Sequence, residues 1–504
     1  MTLATATARN SLYSFAAFTW SAVVLVAITP LLIRHLGAES YGIYALTMAM
    51  VGFVGLLEFG MGTSLVQLVA THVARNQEGE ARAALGASVV FYIAVGVVGG
   101  AIAVSIGLFF IDLFSLSSEA VDDARFAFVV SGIAFLFSSL TKSFSSIQLA
   151  LQRYDVVAKV KIVFITATGI GIVALLLAGF GLRAVVLVNA IGEPLALLTY
   201  FALGRRAFPG LTMRPLWDKL KLRRLLTFSG WVFVANASGL FLFQMDRIFL
   251  GSLASVELVT YYAVPGSVAG YIYAATVTVS MVAITVSASL AAEGKTDQLA
   301  QLYIRATRLV TVFVLSVSIP TLVFAREILL EWIGPEMADR SSEVFRVLIL
   351  TYVALALTVI PFNILIGAGR PRIPATINLV MAVINVALVL LLVPRYELMG
   401  AAVAYLGSVA IFPVAIWYVE RRFLRLGRSP WRALIPRLVV PSAVQAGVCL
   451  AVLPLIDNLI LLVAALVASP ALFGLTYFLL GGVDNNDLAL VRPLMHSVRS
   501  AFGR

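Results

Sequence analysis

The sequence predicts an all-α polytopic membrane protein with about 14 transmembrane helices, arranged as two six-helix lobes plus a C-terminal helical pair. Of the 504 residues, 61% are hydrophobic and 12% are charged, and the mean hydropathy is +1.00. Soluble domains average ~45–50% apolar and ~25% charged residues, so water is not the main solvent of this chain. Apolar runs of roughly 20 residues recur, which is the length of a helix that crosses the hydrocarbon core. These runs lack the short alternating pattern of transmembrane β-strands, which leaves helices as the spanning elements.

Each predicted span is an apolar run close to the ~17–25 residues that one crossing requires, or somewhat longer. Only very short turns separate the fifth span from the sixth and the thirteenth from the fourteenth. The predicted spans are residues 11–33, 43–66, 84–111, 124–149, 160–180, 182–203, 226–250, 258–288, 305–325, 343–367, 373–394, 398–420, 434–455 and 458–480.

The distribution of basic residues tests this topology. With the N-terminus in the cytoplasm, 27 lysines and arginines fall in cytoplasmic segments and 7 in outer segments. Such a bias fixes the orientation of the spans, and one miscounted helix would destroy it downstream. Both termini are therefore predicted to be cytoplasmic. The net charge of +11 is attributed to loops held at an anionic leaflet rather than to nucleic-acid binding.

An internal repeat divides the predicted spans. The first span ends in Arg34-His35-Leu36-Gly37, and the seventh ends in Arg247-Ile248-Phe249-Leu250-Gly251. Similar cytoplasmic turns contain Arg153 and Arg370. The separation in sequence between Arg34 and Arg247 agrees within a few residues with that between Arg153 and Arg370. Six spans separate the copies, so orientation is preserved and the repeat is a parallel pseudo-twofold one. The predicted divisions are an N-terminal lobe (1–203), a basic linker (204–225), a C-terminal lobe (226–420), an extra helical pair (421–480) and a cytoplasmic tail (481–504).

The remaining composition argues against an enzyme or a metalloprotein. Cys449 is the single cysteine, and the three histidines are scattered without metal-ligand spacing. The sequence contains no Ser/His/Asp set and no Walker-type phosphate loop, so neither catalysis nor ATP hydrolysis by this chain is expected. No loop is long enough to carry the catalytic groups of a membrane polymerase, ligase or glycosyltransferase.

Several segments resemble a known family. They are RHLGAESYGIYAL (34–46), LLEFGMGTSLVQLVA (56–70), ALQRYDVVAK (150–159), FQMDRIFLG (243–251) followed by VTYYA (259–263), and EWIGPEM (331–337). Together, in this order, they resemble the Wzx-like polysaccharide-biosynthesis flippases of the multidrug/oligosaccharidyl-lipid/polysaccharide exporter superfamily. The resemblance covers essentially the whole chain. One departure is Glu58, which stands where the family leads us to expect an aspartate.

The resemblance implies a flippase that moves a polyprenyl-diphosphate-linked oligosaccharide outward across the bacterial cytoplasmic (inner) membrane by alternating access. Its product would serve cell-surface or exopolysaccharide biosynthesis, including O-antigen. The implied partners are the lipid-linked oligosaccharide and the lipid bilayer, and a polysaccharide polymerase and assembly proteins are candidate partners. No cofactor is expected, although H⁺ or Na⁺ as a counter-ion stays open.

The ionisable side chains that we single out within predicted spans are Glu58, Lys142, Glu193, Asp246 and Arg247. Each would cost roughly 2.5–3.5 kcal/mol at the bilayer centre on insertion scales, so each requires a reason. Our hypothesis is that Lys142 binds the diphosphate, while Glu58 or Glu193 balances its charge when the cavity is empty. Glu58, Glu193 and Asp246 are the candidates for ion coupling. The alternative is a buried ion pair that only fixes helix packing.

Other basic residues lie at the ends of the predicted spans. Arg153 and Lys159 could collect the anionic head group at the cytoplasmic entrance, although ordinary positive-inside anchoring also explains them. Arg34 and Arg247 are interpreted as equivalent residues of the repeat at the outer mouth. There they would anchor or gate the lobes, with substrate contact as a secondary role.

Three competing functions stay open at this point. A multidrug or ion antiporter, or a peptidoglycan-precursor flippase, would share the fold and differ in its cavity. A membrane enzyme would require a large outer loop. A non-transporting partner of a polysaccharide assembly complex would not require charges within the membrane.

Overall fold

The protein is described by a computed structural model that covers residues 3–59, 61–207 and 237–482. The described residues form helices and their connecting turns, with no strand among them. Ten of these helices are long and apolar enough to cross a membrane, or eleven if the bent helix at 256–292 is counted as one span. The prediction of an all-α polytopic membrane protein is therefore confirmed.

Contacts divide the chain into two units, Met1–Thr260 and Tyr261–Arg504. The helices described in unit 1 are α1 (Leu3–Val54), continued by a 3₁₀ turn at Gly55–Glu58, α2 (Met61–Ala74), α3 (Glu78–Phe109), α4 (Val121–Ala150), α5 (Tyr154–Leu177), α6 (Leu182–Ala207), α7 (237–253) and the start of α8 (Val256–Ala292).

Unit 2 contains the rest of α8 and the helices that follow it. They are α9 (Thr296–Val323), α10 (Ala325–Trp332), α11 (Pro335–Gly367), α12 (Arg372–Val409), α13 (Phe412–Trp417), a π-helical segment (Tyr418–Phe423), α14 (Trp431–Val452) and α15 (Leu459–Leu479).

Two long helices each cover two predicted spans. Within α1 the helix breaks at Gly37, whose φ is +78°, and within α12 it breaks at Glu397, whose φ is +44°. Each break lies in the short outer connection that the sequence places between two spans. By length and composition, each kinked helix counts as one candidate span, where the sequence predicts two. Part of the seventh predicted span also lies in residues 208–236, outside the described residues. The count of 14 therefore stays a prediction.

Glycines explain the Leu-Gly-x-x-x-Tyr-Gly segment that follows the first span. Gly37 adopts the left-handed backbone that breaks α1, a conformation that favours glycine. Gly42 faces the first turn of α8, where an added Cβ would lie 2.1 Å from the carbonyl oxygen of Val256. Thr260 then donates a hydrogen bond to the carbonyl of Ala38 at 2.5 Å. The motif therefore lets the helix after the break pack tightly against the start of α8.

Contacts at this end also hold α7 in unit 1. The backbone N–H of Ser115 donates to the carbonyl of Gly251 at 3.1 Å, so the loop after α3 binds the end of α7. The predicted linker lies largely in residues 208–225 and the tail in residues 483–504, both outside the described residues. The division into two six-helix lobes stays a prediction.

The last two helices pack on α9 within unit 2. Leu434, Leu438, Phe473 and Tyr477 form the apolar contact. In the same region Gln445 Nε2 donates to the carbonyl of Ser316 on α9 and to Ser469 Oγ on α15, at 2.7 and 2.8 Å. A buried amide that joins three helices is a strong constraint, because an unmet hydrogen bond in an apolar medium is costly.

Candidate functional site

The second predicted span is broken where its carboxylate lies. The helix that follows Gly37 ends in the 3₁₀ turn at Glu58, and Phe59 adopts a left-handed φ of +49°. The chain becomes helical again at Met61. Broken helices at membrane depth occur where the freed backbone groups are covered by protein or line a water-filled cavity. This break therefore marks a region of unit 1 that differs from an ordinary span.

Lys142 forms an ion pair with the carboxylate at this break. Its Nζ lies 2.5 Å from Glu58 Oε1, across 84 residues of sequence. The Glu58 side chain is 13% exposed and that of Lys142 is 47% exposed. The lysine is therefore the accessible member of the pair, and the carboxylate is the enclosed one. The structure brings together the two residues that the sequence hypothesis assigned to diphosphate binding and charge balance.

Glu193 on α6 belongs to the same cluster. It interacts with the hydroxyl of Ser138, and Lys142 acts on it electrostatically. One lysine thus stands between two carboxylates that come from different helices. Such an arrangement provides a cation for an anionic ligand together with acidic groups that could accept a proton or a small cation.

Lys142 and Glu193 lie well inside their helices. Lys142 is eight residues before the end of α4 and Glu193 is fourteen before the end of α6. At ~1.5 Å per residue these separations are about 12 and 21 Å. Their predicted spans end earlier, at residues 149 and 203, because hydropathy marks where an apolar run stops and not where its helix stops. Glu193 lies at the middle of its helix.

The two residues proposed for the cytoplasmic entrance lie at a single turn. Arg153 occupies the turn between α4 and α5, and Lys159 lies in the second turn of α5. Both side chains are exposed. Their positions fit either head-group collection or ordinary anchoring, so their role stays a prediction.

Arg34 and Arg247 each lie within two turns of a helix break or helix end. Arg34 is exposed and lies three residues before the break at Gly37. Arg247 is partly buried and lies six residues before the end of α7. Their interpretation as equivalent residues of the repeat stays a prediction.

Asp246 is buried, with 1% of its surface exposed, and neighbours Arg247 on α7. Residues i and i+1 of a helix do not face each other, so these two side chains serve different neighbours. A coupling role for Asp246 stays a prediction.

Sequence reasoning missed three residues of the site. Ser138 lies one turn before Lys142 on α4, so helical periodicity could have found it. Tyr92 on α3 is fully buried and interacts electrostatically with Glu58. Phe59 breaks the helix, and the glycines that flank Met61 in Phe-Gly-Met-Gly were the available signal.

No group of three or more His, Cys, Asp or Glu side chains that could hold a metal ion occurs in the part of the chain that the structure describes.

Solved structures with this architecture are transporters. The lipid II flippase MurJ, in an inward closed conformation, matches with a TM-score of 0.73 at 12% identity, over 96% of this chain and 99% of that one. An inward-facing multidrug resistance MATE family transporter of the MOP superfamily matches with a TM-score of 0.66 at 15% identity, over 82% and 94%. The fold and the membrane-embedded charges thus define a multi-pass membrane protein with the fold of these transporters.

Sequence comparison then gives the family. The family model described as polysaccharide biosynthesis protein matches residues 31–339. A Shigella flexneri protein described as a "Putative O-antigen transporter" is 24% identical over 415 residues, which cover 79% of this chain and 93% of that protein. This chain belongs to the polysaccharide biosynthesis protein family, and its resemblance to the Wzx-like flippases is confirmed.

Proposed function

We propose that this chain is a flippase that moves a polyprenyl-diphosphate-linked oligosaccharide from the cytoplasmic to the outer leaflet by alternating access. The bacterial cytoplasmic membrane is its proposed location, with both termini in the cytoplasm. The product would feed cell-surface or exopolysaccharide assembly, where a polymerase and assembly proteins are candidate partners. Family membership supports the transport of a polysaccharide precursor, and the exposed lysine of the unit 1 cluster, Lys142, supports an anionic substrate.

The observation that carries the proposal is the position of Lys142. A diphosphate and a glycan cannot cross hydrocarbon unaided, because each unsatisfied polar group costs several kcal/mol. The transporter must therefore offer a cation within the membrane. Lys142 supplies one at about 12 Å from its helix end, with its side chain 47% exposed and already held by Glu58. In the proposed cycle the diphosphate competes with Glu58 for this ammonium group.

The membrane potential favours the proposed direction. The cell interior is negative, so outward movement of a dianionic head group is downhill by roughly 2.3 kcal/mol per charge per 100 mV, provided that the charge is not neutralised on the way. Glu58, Glu193 and Asp246 are the groups through which H⁺ or Na⁺ could couple.

Reconstitution tests the proposal. Purified protein in liposomes would receive a fluorescent lipid-linked oligosaccharide, and its appearance in the opposite leaflet would be followed with a membrane-impermeant quencher. Wild type is expected to move the lipid, and Lys142→Ala to lose most of this rate. Lys161→Ala is a matched control, because Lys161 is an exposed lysine of the same unit. A correctly inserted Lys142→Ala protein that exports at the wild-type rate would contradict the role of Lys142.

Two further substrates separate the proposal from its alternatives. The same liposomes would be loaded with a labelled peptidoglycan precursor in one arm and with a cationic dye in another. A glycan flippase is expected to move neither at the rate of the lipid-linked oligosaccharide. Faster movement of the precursor would identify a peptidoglycan-precursor flippase, and dye efflux driven by an ion gradient would identify an antiporter.

A further inference from the structure

Unit 2 contains a cavity whose lining includes none of Lys142, Glu58 and Glu193. It has a volume of about 820 Å³ and lies among α9, α11, α13 with its π-helical extension, and α14. Small-molecule sites typically measure ~300–1,000 Å³, so the space suits a ligand of that size. The π-helical segment Tyr418–Phe423 forms one wall. π-Helical turns are rare and are found frequently at functional sites.

The inner walls of the cavity are apolar. Leu315 comes from α9, Leu357 from α11, Ile416 from α13, and Leu438 and Val439 from α14. Val439 keeps 57% of its surface exposed, so the cavity opens toward the surroundings of the helices. In a membrane-spanning protein those surroundings are acyl chains, which such walls would accept.

Charged and aromatic groups form the opposite end. Arg421 follows α13 and Arg432 begins α14, and both side chains are exposed. Trp417 and Trp431 lie beside them as lining residues. Tryptophan at this depth is typical of the membrane–water interface, where its ring bridges apolar and polar regions. Both arginines lie at an end of unit 2 that the positive-inside bias predicts to be cytoplasmic.

The acidic residue in the cavity wall has a hydrogen-bond partner within the protein. Glu420 is 3% exposed and accepts a hydrogen bond from the hydroxyl of Tyr303 at 2.9 Å. Arg421 Nη1 in turn donates to the carbonyls of Leu426 and Gly427 at 3.2 and 3.1 Å, which holds the following loop over the cavity end. The lining therefore carries one buried acid and two exposed cations, a net positive rim above an apolar chamber.

We propose that this cavity binds one anionic phospholipid of the cytoplasmic leaflet, with its phosphate at Arg421 and Arg432 and its acyl chains along α14. Charge complementarity selects this occupant, because a zwitterionic lipid would gain little from two arginines. Anionic lipids are concentrated in the cytoplasmic leaflet, where the rim is predicted to lie. The bound lipid would brace the C-terminal helical pair against α9. The site is independent of which substrate the protein transports.

The test uses full-length protein purified in mild detergent. Native mass spectrometry would count bound lipid after incubation with phosphatidylglycerol or with phosphatidylcholine of the same acyl chains. Wild type is expected to retain one phosphatidylglycerol and to prefer it over phosphatidylcholine. The double variant Arg421→Gln/Arg432→Gln should bind phosphatidylglycerol about 10- to 30-fold more weakly and lose the preference.

Further variants distinguish lipid bound in this cavity from lipid bound elsewhere on the membrane-facing surface. Arg437→Gln removes a cation from the opposite face of α14 and should leave binding unchanged. Val439→Trp should fill the chamber and abolish retention of either lipid, whereas Val440→Trp, at an exposed position outside the cavity, should not. Equal retention of both lipids by wild type, or undiminished preference in the double variant, would overturn the proposal. Displacement of phosphatidylglycerol by equimolar polyprenyl phosphate would overturn it in favour of a substrate-tail site.

Discussion

Removing Lys142 should destabilise the protein more than removing its partner does. The Glu58 side chain is 13% exposed and Lys142 is 47% exposed. Lys142→Ala leaves an enclosed carboxylate without its cation, whereas Glu58→Gln leaves an ammonium group that can still reach solvent. Loss of one partner costs about 3–5 kcal/mol in a buried pair and about 0–1 kcal/mol in an exposed one. Because one member here is half exposed, we expect about 1–3 kcal/mol for Lys142→Ala and less for Glu58→Gln.

The double variant Lys142→Ala/Glu58→Gln separates stability from transport. It contains no unpaired carboxylate at the break, so most of the stability that Lys142→Ala loses should return. Transport should not return, because the membrane-embedded cation is still absent. The apparent melting temperature would be measured in one detergent for all four proteins, and flipping would be measured in liposomes. Non-additivity of the two single changes would give the coupling energy of the pair.

One result would refute this reasoning. If the double variant regains both melting temperature and flipping rate, the pair serves only to hold α4 against the broken span. A lower melting temperature for Glu58→Gln than for Lys142→Ala would contradict the assignment of the carboxylate as the enclosed member. Lys161→Ala, which lies outside the cluster, provides the baseline for the loss of one lysine from unit 1.

Three further predictions concern packing and orientation. Gly42→Ala should cost about 1–3 kcal/mol, because its Cβ would lie 2.1 Å from the carbonyl of Val256, whereas Gly55→Ala meets nothing within 4 Å. Thermal unfolding of both proteins would check this difference, and equal melting temperatures would contradict it. Gln445→Leu should cost about 1–3 kcal/mol, because the carbonyl of Ser316 loses its bond, and should expose the last two helices to proteolysis first. Reporter fusions at the two termini should both read as cytoplasmic, and opposite readings would show an odd number of spans.

The span positions could be predicted because the bilayer imposes them. A helix in hydrocarbon must be apolar over a fixed length, so hydropathy records most of the crossings directly. The connection at Gly37 was visible for the same reason, since polar residues and a glycine interrupt the apolar run there. Hydropathy also singled out Glu58 and Lys142, because any charge within a span is conspicuous.

Other features depend on backbone conformation or on distant contacts. The break at Phe59 does not change the average hydropathy of its span, so hydropathy alone predicts one continuous helix there. The ion pair joins residues separated by 84 positions, which no local pattern encodes. The cavity beside α14 likewise arises from helices that are far apart in sequence, including Leu315 and Val439.

The charge balance of the cluster bears on how the proposed cycle could work. When both are ionised, Glu58 and Glu193 carry two negative charges against the single positive charge of Lys142. The C-terminal end of the helix at Glu58 adds further negative potential, since a helix C-terminus is equivalent to roughly half a negative charge. A diphosphate that approaches Lys142 therefore meets repulsion unless one carboxylate is neutralised. Under the proposed function, a cation that binds Glu58 releases Lys142 toward the substrate, so cation and substrate would strengthen each other's binding by the same factor. Simple competition between a counter-ion and the substrate for one site does not follow from this arrangement.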